Sequence, residues 1–148
     1  MGYIKIPANV IKFLKLEAGK FKYTYEDERT TITDEKDNVI IITEANPYYE
    51  VDDIFTEEEI DEIFSDDLTL KMEHLEVKDE YKGQGYAKEL VKEGLKYAKK
   101  QRFDEIYLNA SPIGHSGLNL NDLTKFYKKF GFKVLYKQGP NNIMIKYF

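Results

Sequence analysis

Gly83 and Gly85 sit one residue apart, where a strand-like run over residues 68–77 gives way to a helix-like run over 87–102. The junction reads Lys82-Gly83-Gln84-Gly85-Tyr86-Ala87. Glycines at such a place let the backbone pass close to a ligand with its N–H groups turned outward. The start of the helix adds unpaired donors and partial positive charge, so the junction forms a cradle for an anion such as a pyrophosphate. A strand, a tight loop and a helix in this order also demand a sheet with that helix packed on it.

Two common phosphate loops do not fit. A Walker loop needs Lys-Ser/Thr after a second glycine, and no such pair follows Gly85. A Rossmann fingerprint needs three glycines and an acid closing the next strand, whereas Asp104-Glu105 opens one. A Gly-x-Gly also occurs in plain tight turns, so the surrounding sequence has to decide.

Downstream, Leu123, Phe126, Tyr127 and Phe130 recur at i, i+3, i+4 and i+7, one face of a helix. Asn121 or Asp122 is the expected cap and Gly131 the left-handed stop. Strands follow over 132–137 and 143–148 around a Gly139-Pro140-Asn141-Asn142 turn. The glycine loop and the later Phe126-Tyr127-Lys128-Lys129-Phe130-Gly131-Phe132, separated by a strand over 105–110, resemble the GNAT acetyltransferase family over about residues 68–148. In that family an Arg/Gln-x-x-Gly-x-Gly/Ala loop binds the pyrophosphate of acetyl-CoA. Lys82 stands where the motif has Arg or Gln, keeping a donor but losing its fork. Leu120 occupies the place of a frequent Asn, with Asn119 and Asn121 on either side, and the connection over 111–121 is longer than usual.

The resemblance implies an α/β GNAT-like fold: a mixed, mostly antiparallel twisted sheet with helices on both faces and a splayed cofactor cleft between strands 68–77 and 105–110. It implies acetyl-CoA as donor, held by Lys82, Gly83, Gln84, Gly85, Tyr86, Ala87 and Lys88, with Asn119 toward the pantetheine arm. Backbone N–H groups at Leu75 or Val77 would face the acetyl carbonyl, and Tyr127 would protonate the departing thiolate. Acetyl transfer to an amine also needs a proton acceptor. Alternation places His74 and Glu76 on one strand face and Glu73, Leu75 and Val77 on the other. Glu76 is the first candidate base, and His74 and His115 are lesser ones. The implied function is direct N-acetyltransfer to a primary amine, of a small molecule or a peptide, without metal. A silent CoA-binding module and an acidic interaction domain are the alternatives, and a homodimer is compatible with the family.

At 148 residues the chain is expected to be one domain, 1–148. A hydrophobic share of 42%, with 12 Tyr and 9 Phe, argues for a folded core. Without Cys there is no thiol nucleophile and no Cys-based zinc site. No apolar stretch reaches spanning length and residues 1–11 lack the core of a signal peptide, which makes a cytoplasmic location, away from membranes, the expectation.

Charge is unevenly placed: residues 1–80 hold 22 acids against 9 Lys or Arg, and residues 81–148 hold 13 Lys or Arg against 5 acids. The basic half carries the glycine loop and attracts a polyanion, while the acidic half would repel nucleic acid. Residues 50–67 carry ten acids and no Lys or Arg, favouring a cationic acceptor. Within them, Thr56-Glu57-Glu58-Glu59 is a capping box opening a helix over 56–64 with Ile60, Ile63 and Phe64 inward. Earlier, a strand over 3–7, a helix over 9–17, and strands over 21–25, 30–33 and 38–43 are expected, the last two joined by the turn at 34–37.

Overall fold

A computed structural model describes residues 16–18, 20–65, 68–112 and 118–148. Among these residues eight strands form one sheet: β1 (Leu16–Ala18), β2 (Phe21–Glu26), β3 (Arg29–Thr33), β4 (Val39–Glu44), β5 (Thr69–Glu76), β6 (Glu105–Ala110), β7 (Lys133–Gln138) and β8 (Asn141–Tyr147). Their spatial order is β1-β2-β3-β4-β5-β6-β8-β7, and only the β5–β6 contact is parallel. Among the described residues the α-helices are α1 (Tyr48–Val51), α2 (Glu57–Ile63), α3 (Tyr86–Lys100) and α4 (Leu120–Lys128). The architecture is therefore the expected α/β one.

The early strands are hairpins. Asp27 and Glu28 both take positive φ (52° and 64°), the two-residue turn whose twist suits a hairpin. At the β3–β4 turn, the Asp34 carboxylate accepts from the backbone N–H of Lys36 and of Asn38, each at 2.9 Å. The expected strand over 3–7 and most of the helix over 9–17 lie outside the described residues. Residues 16 and 17, however, are strand: β1 pairs antiparallel with β2, from Leu16↔Tyr23 to Ala18↔Phe21. Ladder hydrogen bonds to the open edge of β2 override a helical pattern there.

Two apolar clusters lie on opposite faces, because alternate residues of β6 enter different ones. Ile106 and Leu108 join Leu90 and Val91 of α3 and Leu123 and Tyr127 of α4. Tyr107 joins Val51, Ile60 and Phe64 from the α1–α2 region. The capping box of α2 forms as expected: Glu59 N–H donates to Thr56 Oγ1 at 3.2 Å, and Thr56 N–H to Glu59 Oε1 at 2.9 Å.

Helix α3 seats closely because Gly94 faces the sheet. A Cβ at Gly94 would stand 3.0 Å from Ile42 Cδ1 and 3.1 Å from Ile40 Cδ1. Gly94→Leu is expected to cost about 3 kcal/mol by overpacking. That lowers Tm by about 10 °C, read by calorimetric melting.

A bulge corrects the expected side-chain pattern of β5. Ile41 pairs with His74 while Ile42 pairs with Met72, leaving Glu73 as the extra residue. Leu70, Met72, Leu75 and Val77 then all serve the α3-side cluster. Glu73 does not share the face of Leu75 and Val77. It turns to the opposite face, where Arg29 Nη2 approaches its carboxylate at 3.5 Å.

Candidate active site

Strands β5 and β6 are paired only at Thr69↔Glu105, Leu70↔Ile106 and Lys71↔Tyr107. Beyond Lys71, β5 keeps β4 as its partner and β6 keeps β8. The two therefore part and leave a cleft with an unpaired edge of β5. A cavity of about 740 Å³ opens there, lined by His74, Leu75, Glu76 and Val77 from the strand and by residues 78–83 and 85–88. Leu118 and Phe126 line it too.

Gly83 and Gly85 hold φ of 76° and 90°, conformations that disfavour any side chain. No described atom lies within 4 Å of a Cβ built at either, so among the described residues the space above the loop is open. Gly85 is the N-cap of α3, and no side chain caps it among the described residues. The first-turn N–H groups thus keep their donor capacity. Tyr81 and Tyr86 bracket the loop, ring centroids 5.4 Å apart. Lys82 Nζ sits 2.8 Å from Asp79, and this hydrogen-bonded ammonium holds the Asp79 carboxyl below its ordinary value.

Most residues singled out in the sequence converge here: Leu75, Glu76, Val77, Lys82, Gly83, Gly85, Tyr86, Ala87 and Lys88 all line the cavity. Three others are placed differently. The Gln84 side chain donates to the Glu80 carbonyl at 3.1 Å. Asn119, and neither Asn121 nor Asp122, caps α4: its Oδ1 accepts from Asp122 N–H at 2.8 Å. Tyr127 is 3% exposed within the apolar cluster, packed edge-on against Phe126 and Phe132. Burial pushes its hydroxyl up to about 12.

His74 and Glu76 share a face, as alternation predicts, with His74 Nε2 2.8 Å from Glu76 Oε2. His115 lies outside the described residues. Sequence reasoning missed Tyr81, Leu118 and Phe126 as cavity walls. Phe126 was visible only as a member of the helix stripe, and nothing in the pattern marked Leu118. Among the described residues no group of three or more His, Cys, Asp or Glu is placed to hold a metal ion. No described helix is long and apolar enough to cross a membrane.

A parted parallel strand pair, with a glycine loop at the strand end and an open helix N-terminus, sets a cleft into one side of the sheet. The chain belongs to the acetyltransferase (GNAT) family, whose model matches residues 16–132. The match begins well before the two motifs, so the early hairpins belong to the family domain too. The human protein N-acetyltransferase 8B is 39% identical over 64 residues, which is 43% of this chain and 26% of that protein. The chain thus spans about a quarter of that relative.

Among solved structures, the PaiA N-acetyltransferase of Thermoplasma acidophilum, in complex with coenzyme A, superposes with a TM-score of 0.53 at 20% identity. That match covers 81% of this chain and 60% of the other. Arabidopsis thaliana Naa50, in complex with the bisubstrate analogue CoA-Ac-MVNAL, gives 0.53 at 17% identity, covering 94% and 89%. At these identities the likeness is one of fold.

Proposed function

We propose that this protein transfers the acetyl group of acetyl-CoA directly to a primary amine. The observation that carries the proposal is the parting of β5 and β6 beyond Lys71 and Tyr107, with the glycine loop and the uncapped start of α3 at the mouth of the gap. Family membership and the superposed structures support it. The residues present fit the donor. Open space above Gly83 and Gly85, the free first-turn N–H groups, and Lys82 and Lys88 suit a pyrophosphate. Leu75, Val77, Leu118 and Phe126 give an apolar wall to the arm that follows.

Acetyl-CoA would supply an acyl group activated as a thioester. The chain's own residues then have three tasks. An alkylamine of pKa near 10 is protonated at pH 7, and removing that proton costs roughly 4 kcal/mol. Glu76, hydrogen-bonded to His74 and lining the cavity, accepts it, directly or through water. N–H groups on the unpaired edge of β5, near Leu75 and Val77, donate to the carbonyl oxygen as negative charge grows on it. The Tyr127 hydroxyl, held protonated at neutral pH, is the proton source for the leaving sulfur.

The test is thiol release from acetyl-CoA against a panel of small amines and peptides. Tyr127→Phe is expected to lower kcat by about 100-fold, within the range for a lost general acid, with acetyl-CoA affinity unchanged. Full turnover in this variant removes the acid role. Burial of Tyr127 outside the cavity wall favours one second reading, a CoA-binding module without turnover. Binding of CoA with no active amine in the panel would select it.

A further inference from the structure

Lys71 and Tyr107 are the last pair before the strands part, and both side chains emerge on the face away from α3. There they meet Glu50 of α1. Lys71 Nζ donates to Glu50 Oε1, and the Tyr107 hydroxyl donates to Glu50 Oε2. Lys71 Nζ also stands 5.9 Å from the centre of the Tyr107 ring. Tyr107 is 3% exposed, whereas the Glu50 side chain is 43% exposed and that of Lys71 24%. Burial first, and Glu50 second, raise the Tyr107 hydroxyl well above the ordinary phenol value, so it remains a donor at all working pH.

A buried phenol thus aims a reachable carboxylate, and a primary alkylammonium lies in the resulting cradle, at the point where the sheet opens. An ion pair this exposed contributes little to stability. Helix α1 has other anchors, with Val51 2% exposed and Phe55 packed on the same cluster. The arrangement therefore makes more sense as a binding site than as a clasp.

We propose that Glu50 docks an ammonium group of the acceptor short of the reaction centre, and that Lys71 is its internal occupant until an incoming primary ammonium exchanges with it. Naming that ammonium as the acceptor's rests on the acetyltransferase reading; the exchange itself does not. The surroundings favour an amine with an aromatic or apolar body. Phe55 and Tyr136 form an edge-to-face pair at 6.2 Å on the same side of the sheet, and Tyr136 remains 36% exposed. Tyr49, next to Glu50, is 79% exposed.

The probe is 2-phenylethylamine, titrated at neutral pH without CoA and followed by protein NMR, on wild type, Glu50→Gln, Lys71→Met and the control Glu58→Gln. Lys71→Met, which removes the internal competitor, is expected to tighten probe binding about tenfold over wild type. Glu50→Gln should lose saturable binding, Glu58→Gln should match wild type, and neutral 2-phenylethanol should not compete. A Lys71→Met protein that binds no tighter than wild type, or not at all, overturns the exchange. So does unchanged affinity in Glu50→Gln. Thermal melts check the fold of each variant, and the Lys71→Met comparison decides even if Glu50→Gln does not fold. Calorimetry with CoA runs alongside. CoA binding without amine binding sinks this site alone, whereas amine binding without CoA binding sinks the acetyltransferase reading alone.

Discussion

Gly85→Glu is expected to weaken acetyl-CoA binding at least 100-fold while leaving the fold intact, as read by calorimetry and far-UV circular dichroism. Two separable effects add. Gly85 holds φ at 90° and ψ at 2°, and a side chain in the left-handed region costs roughly 1–2 kcal/mol. The loop relieves that cost by rotating its N–H groups away from their present directions. The second effect is charge: a carboxylate would stand among the first-turn N–H groups of α3 and repel a pyrophosphate. Among the described residues none blocks the added side chain, since no described atom lies within 4 Å of its Cβ. Gly85→Ala therefore isolates the conformational part and should lose only about tenfold, consistent with 1–2 kcal/mol of strain. Wild-type affinity should also fall between low and high salt, because part of the attraction is long-range. If Gly85→Glu binds as well as wild type, the pyrophosphate does not rest on this loop.

What could be read in advance follows from how local each feature is. The loop between β5 and α3, the capping box at Thr56 and the strand Glu105–Ala110 are specified by neighbouring residues, and all form where expected. Features set by a distant partner were not legible. The bulge at Glu73 depends on how Ile41 and Ile42 of β4 pair across it, which no pattern within β5 reveals. Helix α1 has four residues, too few to show a period, and starts at Pro47 with no side-chain cap. Burial of Val51 against the sheet holds it in place. Three candidate caps stand in Asn119-Leu120-Asn121-Asp122, and only the seating of α4 chooses Asn119. The candidate site divides along the same line. The loop residues were readable because their chemistry is backbone chemistry fixed by glycine. Glu50 was hidden in an acidic stretch, and its importance depends on Lys71 and Tyr107, which are 21 and 57 residues away in sequence.

Glu105, read from sequence only as an acid opening a strand, is 1% exposed, and its titration should govern part of the stability. Ser65 N–H donates to both carboxyl oxygens at 3.2 Å, and Thr69 Oγ1 lies within hydrogen-bonding distance of Oε2. The same Thr69 hydroxyl stands 2.9 Å from the Ser65 carbonyl. It has one proton and two acceptors to serve. One of the two acceptors is therefore underserved, which disfavours a buried charge on Glu105. Desolvation accordingly raises the Glu105 carboxyl above its ordinary value, against the opposing hydrogen bonds from Thr69 and Ser65. For an acid with a raised folded value, the linked stability is complete below the unfolded value, near 4.3, and is lost as pH rises through the folded one. Glu105→Gln imitates the protonated form without titrating. Its extra amide hydrogen costs it a fixed amount at every pH, so its deficit against wild type should be largest near pH 4.5 and shrink or reverse by pH 8. Glu105→Ala, by contrast, strands Ser65 N–H and should lose about 1–3 kcal/mol at either pH. Urea unfolding of the three proteins at both pH values measures this, and a Gln deficit that does not change with pH would mean that folding does not raise the Glu105 carboxyl.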